Sequence, residues 1–460
     1  MTMASGRTIH DLVVAGGGIS GLATGFLALQ RGAGDVVVLE AATRPGGKIQ
    51  TDWVDGICCE WGPQGFLDNT PETLDLVARL GLSGDLVRAD RAAEDRFIAR
   101  NGRLRRVPTT LSAFLASDVL SLPGRLRVLL EPLRPRGAAD ESVFEFAARR
   151  IGGEAAEVLV DAMVTGVFAG DSRRLSLPAS FPGMAAMERE YGSLTRAMLA
   201  KRRNGGNGGP SGPGGRLTTL RRGMQQLTDA LAAALGPRVR LRSPVASVVR
   251  AEREFAVRLD DGSELESREV AMALPPAAAA RALSGLLPAG AIAALRAIPY
   301  AGVVIVMTGY RKARPFRRAL RGFGFLVPGR ERARVLGTIF CDATFPEQAP
   351  EGVTVLRTLL GGARDGEAVA LPDGELIAAV RRELDRYLGG DPEPDFVRII
   401  RHEYGIPQYT VGHPARLSEI EAAVGSVPGL HVLGNGLRGV AANTCVVEAA
   451  RTAARIGGAR

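Results

Sequence analysis

The amino-acid sequence predicts an α/β protein with a discontinuous Rossmann-like domain, a mixed-sheet second domain and a helical insertion. Near the start, the pattern of a strand, a glycine turn, a helix and a second strand runs through "VVAGGGISGLATGFLALQRGAGDVVVLEA" (13–41). Near the end, a strand, a glycine loop and a helix run through "PGLHVLGNGLRGVAANTCVVEAARTAARI" (428–456). Between them, a mostly helical stretch precedes apolar segments typical of strands, beginning with "IPYAGVVIVMTGY" (298–310).

The first stretch has the glycine spacing of a dinucleotide-binding turn. Gly16 permits the turn, Gly18 lets the backbone approach a pyrophosphate, and Gly21 lets the helix pack closely on the strand. The helix, predicted from about 19 to 31, directs its N-terminal N–H groups at those phosphates. Glu40 follows the second strand, where a carboxylate can accept hydrogen bonds from a ribose. An unrelated glycine turn is the alternative, and the complete strand, helix, strand and acid pattern favours a nucleotide.

A second glycine-rich segment, 40–66, indicates which dinucleotide is bound. It contains Arg44, Gly46, Gly47, Lys48, Gly62, Pro63, Gln64 and Gly65. A nicotinamide-binding domain does not need these extra glycines. The segment resembles the extension found in FAD-dependent proteins of the amine oxidase and glutathione reductase type, which implies that 62–65 runs near the flavin ring. That resemblance also implies that the last helix, predicted from about Val440, directs its positive end at the flavin.

We therefore predict FAD as the cofactor. We expect it to be bound non-covalently, because no histidine or cysteine stands in a usual attachment context. The predicted cofactor contacts come from all three parts of the discontinuous domain: Gly16, Gly17, Gly18, Ile19, Ser20, Gly21, Glu40, Arg44, Gly47, Lys48, Gly62, Pro63, Gln64, Gly65, Val245, Asn435, Val440, Ala441 and Ala442.

The predicted domain boundaries follow the order of these patterns. The FAD-binding domain takes residues 8–90, 201–280 and 425–460, a helical domain associated with the membrane or the substrate takes 91–200, and a substrate-binding domain takes 281–424. The glycine- and proline-rich stretch 202–216 is typical of a flexible surface loop.

Composition and charge argue against several classes of protein. The 460 residues carry a formal net charge of +9, yet no dense basic run is interleaved with aromatic residues, which disfavours a nucleic-acid partner. The four cysteines lack metal-ligand spacing, which disfavours a metal site and a disulfide framework and indicates a reducing compartment. No window holds 18 uninterrupted apolar residues, and no apolar core precedes the first strand. We therefore expect a cytoplasmic protein without a spanning helix.

The stretch "TTLSAFLASDVLSLPGRLRVLLEPL" (109–133) is apolar on more than one face and is flanked by arginines. We expect most of it to pack in the core. The alternative is a surface that dips into a bilayer with arginine at headgroup level, and we expect a patch of this kind to give peripheral membrane contact.

Seven motifs in order along nearly the whole chain resemble the oxygen-dependent, FAD-containing protoporphyrinogen oxidase family of the amine oxidase-like flavoproteins. They are "GGGISGL", "GPQGFLD", "DRFIARNGRLRRVP", "TGVFAGD", "RGFGFLVP", "GIPQYTVGH" and "RGVAANTCV". The resemblance implies oxidation of protoporphyrinogen IX to protoporphyrin IX by six electrons in three flavin cycles. Dioxygen would reoxidise the flavin to give hydrogen peroxide, and the product would pass to a chelatase.

The resemblance also implies the substrate-binding residues, which are Arg96, Gly166, Val167, Phe168, Ala169, Phe323, Leu326 and Leu360. Arg96 would pair with a propionate, which suits the fork of a guanidinium. Gly166 would present its carbonyl to the pyrrole N–H groups. Phe323 and Leu326 would sandwich the macrocycle and Leu360 would add an apolar wall, with ordinary core packing as the alternative for these three. The four histidines show no pairing with an acid, and the sequence indicates no catalytic base.

Other substrates and roles stay open from the sequence. Coproporphyrinogen III carries two more propionates and should require more cations around the substrate. A flavin amine oxidase would resemble its relatives in having a lysine on the strand 298–310, which has none. A carotenoid desaturase would lack "GIPQY" and "GFGFLVP". A non-catalytic FAD-binding protein would hold flavin and oxidise no porphyrinogen.

Overall fold

The structure is a computed structural model that describes residues 9–203, 214–252, 254–312 and 314–457. Most of the stretch predicted as a flexible surface loop, 202–216, lies outside the described residues.

The strands form two large sheets and two small ones. In chain order the strands of the described residues are β1 Ile9–Ala15, β2 Val36–Leu39, β3 Thr51–Val54, β4 Ile57–Glu60, β5 Phe66–Leu67, β6 Leu86–Arg88, β7 Arg96–Arg100, β8 Arg103–Arg106, β9 Leu217–Leu220, β10 Val239–Arg240, β11 Val245–Ala251, β12 Glu254–Leu259, β13 Glu264–Met272, β14 Tyr300–Tyr310, β15 Gly324–Leu326, β16 Val335–Phe340, β17 Thr354–Gly361, β18 Phe396–Pro407 and β19 Leu430–Val432.

The helices cover both large sheets and form the insertion. In chain order the helices of the described residues are α1 Ile19–Gln30, α2 Pro71–Arg79, α3 Leu111–Ala116, α4 Leu122–Leu129, α5 Val143–Ile151, α6 Gly153–Ala155, α7 Asp161–Phe168, α8 Leu177–Ser180, α9 Pro182–Tyr191, α10 Leu194–Arg203, α11 Gln225–Leu235, α12 Pro276–Ala282, α13 Ala289–Arg296, α14 Cys341–Thr344, α15 Asp373–Leu388, α16 His413–Gly425 and α17 Ala442–Arg455. A π-helical turn, Ala156–Val160, joins α6 to α7.

The first large sheet joins three separate segments of the chain. Strands β10, β2, β1 and β13 are parallel neighbours in that order. The far edge of β13 is shared, because β12 pairs antiparallel with its first half and β19 pairs parallel with its second half. The C-terminal strand therefore lies in the same sheet as the N-terminal one, and the predicted discontinuous Rossmann-like domain is confirmed.

Local patterns predicted this sheet closely. The strand predicted to end before Glu40 is β2, the helix predicted over 19–31 is α1, and the helix predicted from about Val440 begins at Ala442. Helix α1 is buried along most of its length between α11 and α17, which come from the other two segments. This burial explains its largely apolar sequence.

The second large sheet has the strand order β18, β14, β17, β16, β15, β7, β8. All neighbours are antiparallel except β15 and β7, so the sheet is mixed as predicted. Two of its strands, β7 and β8, lie within the segment predicted as helical, 91–200. Their arginine-rich sequence lacks a long apolar run, and the pairing of β7 with β15 joins residues more than 200 positions apart.

The insertion does not bury the stretch 109–133 as the sequence led us to expect. Only Val119 and Leu120 among its apolar side chains are fully buried. Its exposed leucines are Leu111, Leu115, Leu122, Leu126, Leu129, Leu130 and Leu133, the last 75% exposed. The core-packing expectation was therefore wrong for most of the stretch, because apolar periodicity alone does not reveal which face is covered. No helix of the described residues is long and apolar enough to cross a membrane.

Candidate cofactor and substrate site

The first glycine turn lies between β1 and α1 and leaves no room for side chains. Gly16 has φ +109°, and a Cβ there would lie 2.6 Å from the carbonyl oxygen of Ala273. A Cβ on Gly21 would lie 1.9 Å from the carbonyl oxygen of Gly16. Gly18 caps α1 without a side-chain hydrogen bond. The turn therefore presents backbone and a helix N-terminus, as a pyrophosphate site requires.

The carboxylate of Glu40 is fixed at the edge of this turn. Its Oε2 accepts a hydrogen bond from Gly17 N at 2.7 Å, and its Oε1 accepts one from Ala42 N at 2.8 Å. Each oxygen keeps a second lone pair. The position and remaining acceptor capacity suit the predicted ribose contact. Val245 opens β11 nearby, two residues after Ser243, whose N–H donates to Glu40 O at 2.9 Å.

The second glycine segment lies directly across the turn. Gly46 N donates to Gly17 O at 2.8 Å. A Cβ on Gly47 would lie 3.2 Å from the Cα of Gly18. The structure therefore brings together the two segments that the sequence assigned to one cofactor.

Arg44 extends from the second glycine segment towards Trp61. Its Nη1 donates to Gln225 Oε1 at 3.3 Å, and its guanidinium lies 5.5 Å from the centre of the Trp61 ring. Its Nη2 is buried without a hydrogen-bond partner among the described residues. A buried donor of this kind fits a ligand acceptor.

Lys48 connects the second glycine segment to the second large sheet. Its Nζ donates to the carbonyl of Gly405 on β18 at 2.6 Å and lies 4.8 Å from the centre of the Tyr300 ring. Burial lowers the pKa of Lys48 to about 8. Lys48, a predicted cofactor contact, therefore joins the second glycine segment directly to the second large sheet.

The segment 62–65 is held from behind by backbone contacts. The carbonyl of Gly62 accepts a hydrogen bond from Arg357 Nη2 at 2.7 Å. A Cβ on Gly62 would lie 2.4 Å from Lys48 O, and one on Gly65 would lie 2.5 Å from Thr218 O. Between them, Pro63 is followed by Gln64, whose Oε1 is buried without a partner among the described residues.

The C-terminal segment carries the remaining predicted cofactor contacts. The Asn435 carbonyl accepts a hydrogen bond from the Tyr409 hydroxyl. Val440 packs against the apolar cluster that contains Phe168 and Tyr409. Helix α17 then begins at Ala442, with Ala441 as an N-cap that has no side-chain hydrogen bond and no acid in the first turn. Its positive end is thus left for a ligand.

These features fit FAD. Two helix N-termini, those of α1 and α17, lack side-chain caps, and two tight glycine segments face each other between them. Buried polar atoms of Arg44 and Gln64 have no partner within the described part of the chain. Within that part, no group of three or more His, Cys, Asp or Glu residues is placed to hold a metal ion.

Two of the predicted substrate residues on the second sheet, Arg96 and Leu326, share the face that points towards the cofactor segments. The residue pairings between neighbouring strands align two rows of residues across the second sheet. One row is Arg96, Gly324, Ile339, Arg357, Met307 and Arg398. The next is Ile98, Leu326, Gly337, Leu359, Ile305 and Ile400. Because alternate residues of a strand point to opposite faces, both rows lie on one face.

The structure brings four of the predicted substrate residues into two contacts. The Arg96 guanidinium lies 5.9 Å from the centre of the Phe323 ring, and Arg96 is exposed. A Cβ on Gly166 would lie 2.9 Å from the Leu326 methyl groups. Gly166 and Val167 are exposed beside Leu326, so this wall is open to a ligand.

The other predicted substrate residues lie deeper. Phe168 is buried with its ring edge-on to Tyr409, and its carbonyl accepts a hydrogen bond from Gln408 Nε2 at 2.8 Å. Ala169 is buried and ends α7 with φ +47°. Leu360 is 0% exposed in the core beneath α15. The structure does not bring Leu360 to the substrate wall; its neighbour Leu359 occupies the cofactor-facing row.

Sequence reasoning missed a buried polar group beneath segment 62–65. Glu60 accepts hydrogen bonds from Met224 N at 2.6 Å and Thr51 Oγ1 at 2.8 Å, and burial raises its pKa to about 7. His402 Nε2 lies 2.7 Å from Trp61 O. The signal available was a charged residue within an apolar strand, "ICCE" for Glu60 and "TVLRTLLG" for Arg357.

The expectation that no histidine pairs with an acid was wrong. His10 Nδ1 lies 2.7 Å from Asp35 Oδ2, and His431 Nε2 lies 2.8 Å from Glu269 Oε2. Both pairs join elements of the first sheet and its loops rather than predicted site residues, which is why local sequence did not reveal them.

Comparisons with known proteins identify the family of the chain. A family model described as flavin containing amine oxidoreductase matches residues 19–457. The chain is similar to human protoporphyrinogen oxidase, with 34% identity over 98% of this chain and 98% of that protein. It is also similar to the chloroplastic protoporphyrinogen oxidase of Oryza sativa subsp. japonica (33%; 98% and 88%). Coproporphyrinogen III oxidase of Bacillus subtilis (strain 168) is 30% identical, over 96% of this chain and 97% of that protein.

Solved structures also superpose on this chain. A crystal structure from Exiguobacterium sp. 255-15, provisionally named a protoporphyrinogen oxidase, superposes with a TM-score of 0.83 at 26% identity, covering 98% of this chain and 99% of that one. Cyclohexylamine oxidase from Brevibacterium oxydans IH-35A superposes with a TM-score of 0.72 at 19% identity and equal coverage, which shows a common fold alone.

The buried carboxyl of Glu60 predicts a pH-dependent stability. Between its ordinary pKa of 4.5 and its folded pKa of about 7, the folded protein binds more protons than the unfolded chain. The free energy of unfolding therefore falls as pH rises through this window, by on the order of 3 kcal/mol at most. Glu60→Gln should remove this pH-dependent fall in the free energy of unfolding. Measured by urea unfolding, the variant should therefore become more stable relative to wild type as pH rises from 5 to 8.

The exposed acid Glu351 provides the control. Glu351→Gln should leave the pH dependence of unfolding unchanged. Equal pH profiles for wild type and Glu60→Gln would contradict the assignment of a raised pKa to Glu60.

Proposed function

The chain belongs to the flavin-containing amine oxidoreductase family and is a flavin oxidoreductase with FAD as its cofactor, and we propose that it oxidises protoporphyrinogen IX to protoporphyrin IX. The proposal includes dioxygen as the electron acceptor, hydrogen peroxide as the second product and a chelatase as the recipient of the porphyrin. Relatives named for porphyrinogen oxidation, 30–34% identical over nearly the whole chain, support it. The observation that carries it is the open wall formed by Arg96, Phe323, Leu326 and Gly166 on the cofactor-facing side of the second sheet.

Each wall residue has a part in this reaction. Arg96 would bind a propionate, and Phe323 and Leu326 would offer apolar surface to the macrocycle. Gly166 lies in the last turn of α7, where carbonyl oxygens have no partner within the helix and can accept from pyrrole N–H groups. Bound FAD would supply the hydride acceptor. The protein's part is binding, orientation and exclusion of water.

Coproporphyrinogen III is the second candidate substrate. The Bacillus subtilis relative named for it supports this candidate over nearly full length. Of the cations on the cofactor-facing rows, Arg357 and Arg398 already donate hydrogen bonds within the protein, to Gly62 O and Asp52 Oδ2. Among the three arginines of these rows, only Arg96 has no side-chain hydrogen bond to the described residues, which favours the substrate with fewer propionates. A flavin amine oxidase is disfavoured because β14 carries no lysine.

Anaerobic reduction of the bound flavin tests the proposal. Protoporphyrinogen IX should bleach the flavin absorbance faster than coproporphyrinogen III at equal concentration in a stopped-flow instrument. Acid precipitation of the same preparation should release all the flavin, because it is held non-covalently. Reduction by a primary amine, with no reduction by either porphyrinogen, would refute the proposal.

Arg96 should contribute to substrate binding more than to the chemical step. Arg96→Ala should raise KM roughly two- to tenfold, because a charge-assisted bond is lost at a site where solvent screens it. Arg96→Lys should recover only part of the loss, since lysine lacks the planar fork. Steady-state kinetics with both variants measure this.

Two controls separate recognition of the carboxylate from folding. The exposed Arg103 lies on the adjacent strand, and Arg103→Ala should leave KM unchanged. A neutral ester of the substrate should bind wild type and Arg96→Ala equally. An equal loss of the acid and the ester would assign Arg96 to the fold.

We also propose peripheral contact with a membrane through the exposed leucines of 109–133. Several exposed leucines within one short stretch of the chain are typical of an interaction site. The neighbouring arginines are engaged within the protein: Arg127 donates to Arg150 O at 3.0 Å, Arg125 donates to Leu115 O, and Arg105 pairs with Asp118. Apolar burial rather than arginine charge therefore supports the contact.

A leucine variant tests the membrane contact. Combined Leu122→Gln, Leu126→Gln and Leu133→Gln should reduce co-flotation with liposomes severalfold, because each leucine that leaves water contributes up to about 2 kcal/mol. Binding by wild type should tolerate high salt. Leu241→Gln, at an exposed leucine elsewhere, is the matched control. Wild type that stays in the soluble fraction even with anionic lipid would refute the contact.

A further inference from the structure

Arg357 reaches from the substrate sheet into the cofactor-binding domain. It lies on β17, is 5% exposed, and its Nη2 donates to the carbonyl of Gly62 at 2.7 Å. Its Nε is buried without a hydrogen-bond partner among the described residues. The guanidinium thus lies directly behind segment 62–65, with one donor satisfied by that segment.

Below about pH 7, this buried cation has little neutralising charge around it. Its hydrogen-bond partner is a backbone carbonyl, and the acid that interacts with it is Glu60, whose pKa is near neutral. A guanidinium remains charged in such surroundings. A buried charge without a full counter-ion costs stability, so Arg357 is not explained by its contribution to folding.

The sheet register relates Arg357 to both halves of the site. Arg357 and Arg96 lie in the same cross-strand row and on the same face, with β15 and β16 between their strands. Lys48 makes the reciprocal connection, from the cofactor segment to Gly405 on β18. Gly62, which Arg357 holds, is packed against Lys48 O. The contact of Arg357 therefore fixes segment 62–65 relative to the substrate wall.

We propose that Arg357 is a positioning residue that holds segment 62–65 against bound FAD and raises the reduction potential of the flavin. A fixed positive charge behind this segment stabilises the negative charge that a flavin gains on reduction. The inference rests on the proposed contact between 62–65 and the flavin. It concerns a residue that no sequence motif of the site includes.

The experiment measures the two-electron midpoint potential of the holoenzyme and the Kd for FAD at pH 8. Arg357→Met should shift the oxidised-to-reduced equilibrium about tenfold towards the oxidised form, which is about 30 mV for a two-electron couple. It should also weaken FAD binding. Arg357→Lys should restore the potential more than the affinity, because it keeps the charge but loses the fork.

Arg398 is the control for a cation of the same row, although its side chain is 43% exposed. It lies in the same row and on the same face, but it donates to Asp52 Oδ2 at 2.6 Å rather than to segment 62–65. Arg398→Met should leave the potential unchanged. Equal shifts from Arg357→Met and Arg398→Met, or a folded Arg357→Met with unchanged potential, would overturn the proposal.

A further variant keeps the test decisive if Arg357→Met does not fold. Glu60→Gln removes the acid that opposes Arg357, so at pH 8 it should raise the potential, and no change would overturn the proposal. These potentials are measured without a porphyrinogen. A wild-type enzyme that reduces no porphyrinogen would refute the proposed substrate and leave the role of Arg357 to be decided by its own measurement.

Discussion

The packing of helix α1 on strand β1 depends on the missing side chain of Gly21. A Cβ there would lie 1.9 Å from the carbonyl of Gly16, so a larger residue would force the helix away from the sheet. The other sides of α1 are covered by α11 and α17, from the second and third segments of the domain. Leu22, Leu227 and Val446 meet in the resulting core. One close backbone contact near the start of the chain thus sets the position at which two distant helices can pack.

The site itself depends on a second constraint, the polar junction between the second large sheet and the glycine segment 40–66. Lys48 donates to Gly405 O, Arg357 donates to Gly62 O, and His402 approaches Trp61 O. All three contacts end on backbone carbonyls, whose positions are fixed by the strands and turns that carry them. Such contacts specify distance and orientation more strictly than apolar packing does, so the cofactor segment and the second large sheet are held in one geometry.

The sequence predicted the parts of this arrangement that depend on neighbours in the chain. The turn at Gly16, strand β2 and helix α1 follow from local spacing and periodicity, and the FAD segments follow from their order. Side-chain direction in the second sheet cannot be predicted in this way, because it depends on the register between strands that are distant in the chain. Leu360 was assigned to the substrate wall, yet Leu359 has the cofactor-facing position, and the role of Arg357 appears only when β17 is paired with β16. The sequence predicted an exposed patch within 109–133 but core packing for most of that stretch, because periodicity does not show which face meets solvent.

The register row that contains Arg96 and Arg357 offers two electrostatic environments on one face of the sheet. At one end Arg96 is exposed, where screening by water keeps its attraction for a carboxylate moderate and reversible. Further along the row Arg357 is buried, where low dielectric makes the same charge act strongly on its surroundings. A substrate that must be released as product suits the first environment, and a cofactor that stays bound through repeated cycles suits the second. The difference between the two arginines is therefore one of burial rather than chemistry, and it follows from which elements cover each end of the row.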